Sequence, residues 1–220
     1  MDVPTEASLK HRVPQQGRSR ASFERMVETA ERLMAERGTD DFTLNEVARV
    51  GKVSIGSIYG RFNSKDDLIH EVQTRVLARV DVEMLSRLDA ASAAATDLAT
   101  FISTTVEAVA DTLKHFAASM TPFMLRANTD PFIAEIGKAS YIRTAEAVRA
   151  SLLSYRSAIR HPDPEHAVDA AYRMLYASLA RYLGFGSSAE AAGEGDWVIL
   201  KKELAYMVQA YLCYEGPTTA

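Results

Sequence analysis

Along most of the chain, apolar residues recur at intervals of three and four, the spacing that puts side chains on one face of a helix. Phe23, Met26, Val27, Ala30, Leu33 and Met34 keep that spacing, and Gly38 ends the run. Leu68, Ile69, Val72, Val76 and Val80 form a longer stripe behind Ser64, a candidate N-cap. An Ala- and Ser-rich stretch at 86–96 is expected to contain a helix break. Leu98, Phe101, Ile102, Thr105, Val109, Leu113 and Phe116 then predict a fifth helix. A short segment follows Pro122, and Pro131 opens a helix that runs to about Ile159 and is stopped by His161-Pro162-Asp163-Pro164. Ala167, Ala170, Ala171, Met174, Leu175, Ser178 and Tyr182 line the next helix. Gly184, Gly186, Gly193 and Gly195 bracket a loop, and Trp197, Leu200, Leu204, Met207, Val208 and Tyr211 mark the last helix. No strand-like alternation of useful length occurs, so the pattern predicts an all-α fold of about nine helices.

Two of these helices are short and lie close together, at TLNEVARV and IGSIYGRF, residues 43–50 and 55–62. Thr43 with Glu46 three places on is a capping box, and Ser54 can cap the second helix. Leu44, Val47 and Ala48 mark a buried side, and Ile58 and Phe62, at i and i+4, anchor the second helix. Two short helices joined by a tight turn have the form of a helix-turn-helix, whose second helix lies in the major groove of DNA. The outer side of that helix is small: Gly56, Ser57 and Gly60. An interior glycine lowers helix stability by about 1 kcal/mol relative to alanine, so two of them point to close approach by something. Tyr59, Arg61 and Lys65 are tips suited to phosphates, the Thr43 helix end can face a phosphate, and Ile55 and Ser57 are candidate base readers.

In this stretch the chain resembles the TetR family of bacterial transcriptional regulators. The matching positions are Thr43, Leu44, Val47, Ala48, Val53-Ser54, Gly56-Ser57-Ile58-Tyr59, Phe62, Ser64-Lys65 and Leu68, with Ala30, Leu33 and Gly38 upstream. The likeness spans about residues 22–69. One departure stands out: the family has Ala-Gly before the Val, and this chain has Gly51-Lys52. Lys52 must then take the backbone conformation of the glycine, and it adds a cation at the DNA surface. The resemblance implies three helices for DNA, one linking helix and five for regulation, in a homodimer joined through its last two helices. The expected division is a flexible basic arm at 1–20, a helix-turn-helix domain at 21–65, and a helical regulatory and dimerisation domain at 66–214.

The net charge of −4 at first argues against a polyanion partner. Residues 1–79, however, carry 13 Lys and Arg against 12 Asp and Glu, and residues 80–220 carry 12 against 17. Counterion release needs cations at the interface, not over the whole protein. Lys10, Arg12, Arg18 and Arg20 form a basic arm able to track phosphates or enter a minor groove. The single cysteine, Cys213, excludes an internal disulfide and fits a reducing, cytoplasmic setting. No window is apolar enough to span a membrane, and the N-terminus lacks the apolar core of a secretory signal. No His-Glu-x-x-His, Gly-x-Ser-x-Gly or Walker loop is present, so neither an enzyme nor a metal or other cofactor is expected.

The resemblance also implies a ligand pocket among the middle helices. The aromatic and Met residues there are Phe101, Phe116, Met120, Phe123, Met124, Tyr141, Tyr172 and Tyr176, which suit an apolar or aromatic small molecule. His115, Arg126 or Arg143 could supply a polar contact. Small side chains on one helix, with Trp197 and Tyr211 on the last, make Ala170, Met174, Ser178, Trp197, Leu204 and Tyr211 the candidate dimer surface. The expected function is a repressor released from a palindromic operator by a small-molecule effector. The alternative is a constitutive DNA-binding or protein-interaction factor with no ligand, and a filled core among the later helices would favour it.

Overall fold

The computed structural model describes residues 17–185 and 192–216, with side chains from Ser19 onward. Most of the arm expected at 1–20 and the loop glycine Gly186 lie outside the described residues. Eight α-helices occur among the described residues: α1 Gly17–Arg37, α2 Leu44–Val50, α3 Ile55–Tyr59, α4 Lys65–Ala94, α5 Leu98–Arg126, α6 Pro131–Leu153, α7 Pro164–Tyr182 and α8 Trp197–Leu212. A 3-10 turn at Arg156–Ala158 follows α6, and there is no strand among the described residues.

The helix starts are written in side-chain acceptors. Thr43 Oγ1 accepts from the Glu46 N–H at 3.1 Å, and Ser54 Oγ from the Ser57 N–H at 3.1 Å. Ser64, Asp97, Asp163 and Asp196 do the same for α4, α5, α7 and α8. Asp130 caps α6 and Pro131 follows it, a residue whose missing N–H costs nothing in a first turn. At the other end of α1, Gly38 takes φ 67 and returns its N–H to the Met34 carbonyl at 2.8 Å.

The eight helices of the described residues agree closely with the expected nine, and one difference is that α5 runs through Pro122, so the segment expected to stand apart is its last turn. Proline has no N–H for the Ala118 carbonyl. Met120 and Phe123, on either side, are buried and keep that turn in place. The break expected within 86–96 falls at its end, after Ala94. Alanine is the strongest helix former, so α4 continues to Ala94, and Asp97 then starts α5.

The described residues form two compact units. The first holds the chain up to Ala78 together with Ala117–Ala139, and the second holds Arg79–Phe116 and Ser140 onward. Helices α4, α5 and α6 each supply residues to both. The core of the first unit is Phe23, Met26, Ala30, Leu33, Val47, Ile58, Phe62, Leu68, Ile69 and Val72, with Phe23 stacked on Phe62 at 5.7 Å between ring centroids. Arg126 sits at its edge and binds three carboxylates: Asp40 of the α1–α2 loop, Asp66 of α4 at 2.7 Å and Asp130 at 3.1 Å. His70 hydrogen-bonds Asp130 at 2.8 Å, and Gln73 donates to the Ile133 carbonyl at 2.8 Å. In the second unit, Val106, Val109, Leu113, Val148, Leu175, Leu179, Leu204 and Val208 form the core.

Candidate nucleic-acid interface

Helix α3 is only five residues long, so tertiary packing rather than propensity must hold it. Ile58, and Phe62 just beyond the helix, are fully buried and fix one side to α1. The opposite side is open. Tyr59 is 58% exposed, and a Cβ built on Gly56 meets nothing within 4 Å. The glycine is therefore not demanded by packing inside the chain. Gly60 caps the helix in ordinary right-handed geometry. Ile55 is half-buried, and the Ser57 hydroxyl is tied to that of Ser54 at 2.7 Å.

The turn answers the question raised by Gly51-Lys52. Lys52 has φ 51, alone among the described non-glycine residues in a left-handed conformation. That conformation costs an L-residue about 1–2 kcal/mol. Gly51 has ordinary right-handed angles and is required for space: a Cβ there would lie 2.8 Å from Thr29 Oγ1 and 2.9 Å from the Val47 carbonyl oxygen. The glycine serves close packing of the turn on α1, and the lysine bears the strain. Gly51→Ala is accordingly expected to destabilise the protein by about 1–3 kcal/mol, read as a lower denaturant midpoint.

Other expected contacts fall differently. Arg61 is turned inward, donating to the Ser19 carbonyl at 3.0 Å and lying over the Phe23 ring. Its place in the structure is as a tie to α1. Lys65 is half-buried with its ammonium 4.9 Å from the Phe42 ring centroid. Thr43 is exposed at the start of α2. Arg37 holds the Glu46 carboxyl below its usual range, helped by the Thr43 backbone N–H, so the capping box is shared with α1.

The expected ligand residues are divided between the two compact units. Met120, Phe123 and Met124 belong to the first unit, whereas Phe101, Phe116, Tyr141, Tyr172 and Tyr176 belong to the second. The three tyrosines pack on one another, with Tyr141 edge-on to Tyr176 at 4.8 Å. Burial pushes the Tyr172 hydroxyl well above its ordinary range. Phe101 stacks on Tyr155. The second unit contains a cavity of ≈ 10 Å³ lined mainly by Ile102, Val106, Val148, Leu152, Tyr172 and Leu175. Thr105 also borders it, and its buried hydroxyl has no hydrogen-bond partner among the described residues. The possible polar contacts are all committed to carboxylates: His115 to Glu83, Arg143 to Asp81, and Arg126 as described.

The expected dimer residues are also split. Trp197 and Leu204 are buried within their own unit, with the Lys114 ammonium 4.9 Å from the Trp197 ring. Tyr211, Ala170 and Ser178 are half-buried. Met174 is open, and so are Val198, Ile199, Tyr206 and Met207, which the sequence reading left out. Val198 with Tyr206 and Ile199 with Met207 recur eight residues apart, the spacing of one helix face, and that pattern was present in the chain.

Residues 26–72 match the family model described as bacterial regulatory proteins, tetR family. This chain carries a TetR-family head. Solved structures extend the likeness to the whole TetR-family fold. A protein described as a TetR-family transcriptional regulator from Mesorhizobium loti is 18% identical, with a TM-score of 0.72, covering 90% of this chain and 98% of that one. A protein described as a transcriptional regulator from Saccharomonospora viridis, solved in complex with choline, is 17% identical at TM-score 0.66, covering 84% and 94%. The fatty acid degradation regulator FadR from Bacillus halodurans is 18% identical at TM-score 0.61, covering 94% and 99%. A search of curated proteins gave no sequence match. The chain thus has the fold of a TetR-family transcriptional regulator, and no helix among its described residues is long and apolar enough to cross a membrane.

Proposed function

We propose that the protein is a homodimeric, sequence-specific DNA-binding regulator, a repressor released from a palindromic operator by a small apolar ligand. The observation that carries the DNA-binding part is the open strip of α3. Gly56 borders empty space and Tyr59 stands out into solvent, on a helix whose other side is buried at Ile58 and Phe62. In this reading Ile55, Gly56 and Ser57 meet base edges, with Gly60 keeping that side of the helix shallow. Thr43, Ser54, Tyr59 and Lys65 meet phosphates. Selection from a random duplex library should recover a palindrome with half-sites roughly 34 Å apart. Failure of the folded protein to enrich any sequence at low salt would sink the reading.

The open apolar face of α7 and α8 supports a second copy as its occupant, with Met207 60% and Tyr206 53% exposed. A short recognition helix reads few base pairs, so pairing is also needed for specificity. Met207→Asp should convert the dimer to monomer in sedimentation and lower palindrome affinity by about 100-fold or more, since the variant loses the second half-site.

The cavity lining supports aliphatic over cationic ligand chemistry. It carries no charged residue, and the Thr105 hydroxyl offers one unpaired polar anchor. The described fatty acid regulator is a closer guide here than the choline complex. One observation favours a second reading, a constitutive DNA-binding factor: at ≈ 10 Å³ the cavity has room for about one water. A ligand must therefore open it. Melting with aliphatic alcohols and carboxylic acids separates the two. A regulator's ligand raises Tm and weakens operator binding, and the operator weakens ligand binding by the same factor. If no compound alters operator affinity, the constitutive reading stands.

A further inference from the structure

We propose that the cleft between α1 and the turn before α3 holds a backbone phosphate of the DNA, outside the part of the site read by α3. The proposal rests on the DNA-binding reading above. The cleft is open, measures ≈ 350 Å³, and is bordered by Arg25, Glu28, Arg32 and Lys52, with Thr29 and Gly51 at its floor. All four charged residues are exposed. Glu28 is three residues from Arg25 and four from Arg32, the spacings at which helical ion pairs form. No such pair forms, and among the described residues neither arginine nor Lys52 has a salt-bridge partner. Three cations that no described carboxylate neutralises, beside the single carboxylate Glu28 in a chain of net charge −4, give the cleft a local charge that suits an anion.

The strain at Lys52 points the same way. A glycine at φ 51 would be free of it, and the chain places a long cation there instead. Strain of this kind persists where function uses the side chain. Arg25 and Arg32 stand two helical turns apart, about 10 Å along the α1 axis, with Lys52 entering the cleft from the turn. An open trough of this form suits an extended polyanion better than an enclosed small molecule. Lys52 also lies two residues before Ser54, which caps α3, so the trough borders the recognition helix. A phosphate held there fixes register on the duplex and carries no base preference.

Two variants test this: Lys52→Gly, and Arg25→Gln with Arg32→Gln. Each is measured for Tm and for affinity to the selected operator across a salt series. Lys52→Gly should raise Tm by about 2–4 °C as strain is lost while lowering operator affinity. Opposite signs of this kind exclude a purely structural role. The arginine variant should bind about 10-fold more weakly with unchanged base preference, and its salt slope should fall by about 1 for each phosphate lost per protomer. Wild-type salt slopes in both variants would overturn the proposal. A wild-type protein that selects no DNA would instead overturn the function on which it rests. Melting of the wild type in inorganic phosphate against chloride of equal ionic strength gives the remaining arm. Stabilisation by phosphate that the arginine variant lacks, with unchanged DNA slopes, would assign the cleft to a free anion and reject the DNA phosphate.

Discussion

Arg126→Ala is expected to lower stability by about 2–3 kcal/mol at pH 7, with Tm falling by about 5–10 °C. One guanidinium fork serves Asp40, Asp66 and Asp130, which come from three separate segments of the first unit. Its removal leaves three carboxylates near one another with no cation between them. Asp66 is largely exposed and contributes little of the loss, whereas Asp130 is nearly covered and contributes most. Burial alone would raise the Asp130 carboxyl, but hydrogen bonds from His70 and Arg126 outweigh it and hold the group below its usual range. A depressed carboxyl stabilises the folded state at pH above its unfolded value, about 3.9. That contribution disappears as the pH falls through the lower folded value. The gap between wild type and Arg126→Ala should therefore be widest near neutrality and close in acid. Melts at pH 7 and pH 3 check it, and an equal gap at both would remove the electrostatic explanation. Arg126→Lys keeps the charge and loses the fork, so it should fall between the two.

Gly56→Ala should separate folding from binding. Nothing lies within 4 Å of the added Cβ, and alanine favours helix over glycine by about 1 kcal/mol, so stability should hold or rise. Operator affinity should nevertheless fall by about 10- to 100-fold, the equivalent of losing one well-made base contact, because the methyl group occupies the space through which the backbone reaches the groove. Chemical denaturation and a binding isotherm on the same preparation check both halves. Unchanged affinity would mean that α3 does not approach DNA closely at Gly56.

The head was legible because its signals are local. Thr43, Ser54 and Gly38 each act on the backbone within four residues, and the chain alone shows them. Lys52 was legible for the same reason, since a turn of fixed length leaves one place for the left-handed residue. Arg61 was not. Whether a cation faces DNA or folds back onto Ser19 depends on a partner 42 residues away. The helix break expected after Phe116 failed similarly: proline alone argues for an interruption, but burial of Met120 and Phe123 overrides it. Trp197 shows the limit of residue type as a guide. An aromatic on the last helix suits an interface, yet its neighbours on α5 and α7 already cover it, and Tyr206 and Met207 were left outside. The aromatic and Met residues expected around one ligand were chosen by type in the same way, and Met120, Phe123 and Met124 fall in the first unit, the other five in the second.

The bonds from Arg126, Asp130 and Ile133 back to Asp40, His70 and Gln73 bear on how the DNA-binding part can be isolated. A fragment ending at Ala78 would keep every helix-turn-helix residue and lose Ala117–Ala139, the stretch of chain that completes its packing. Asp40 and Asp66 would lose their cation, and the Gln73 side chain would lose its acceptor. Exchange of DNA specificity between regulators of this form thus depends on carrying two stretches of sequence together, one of them far from the recognition helix in the gene.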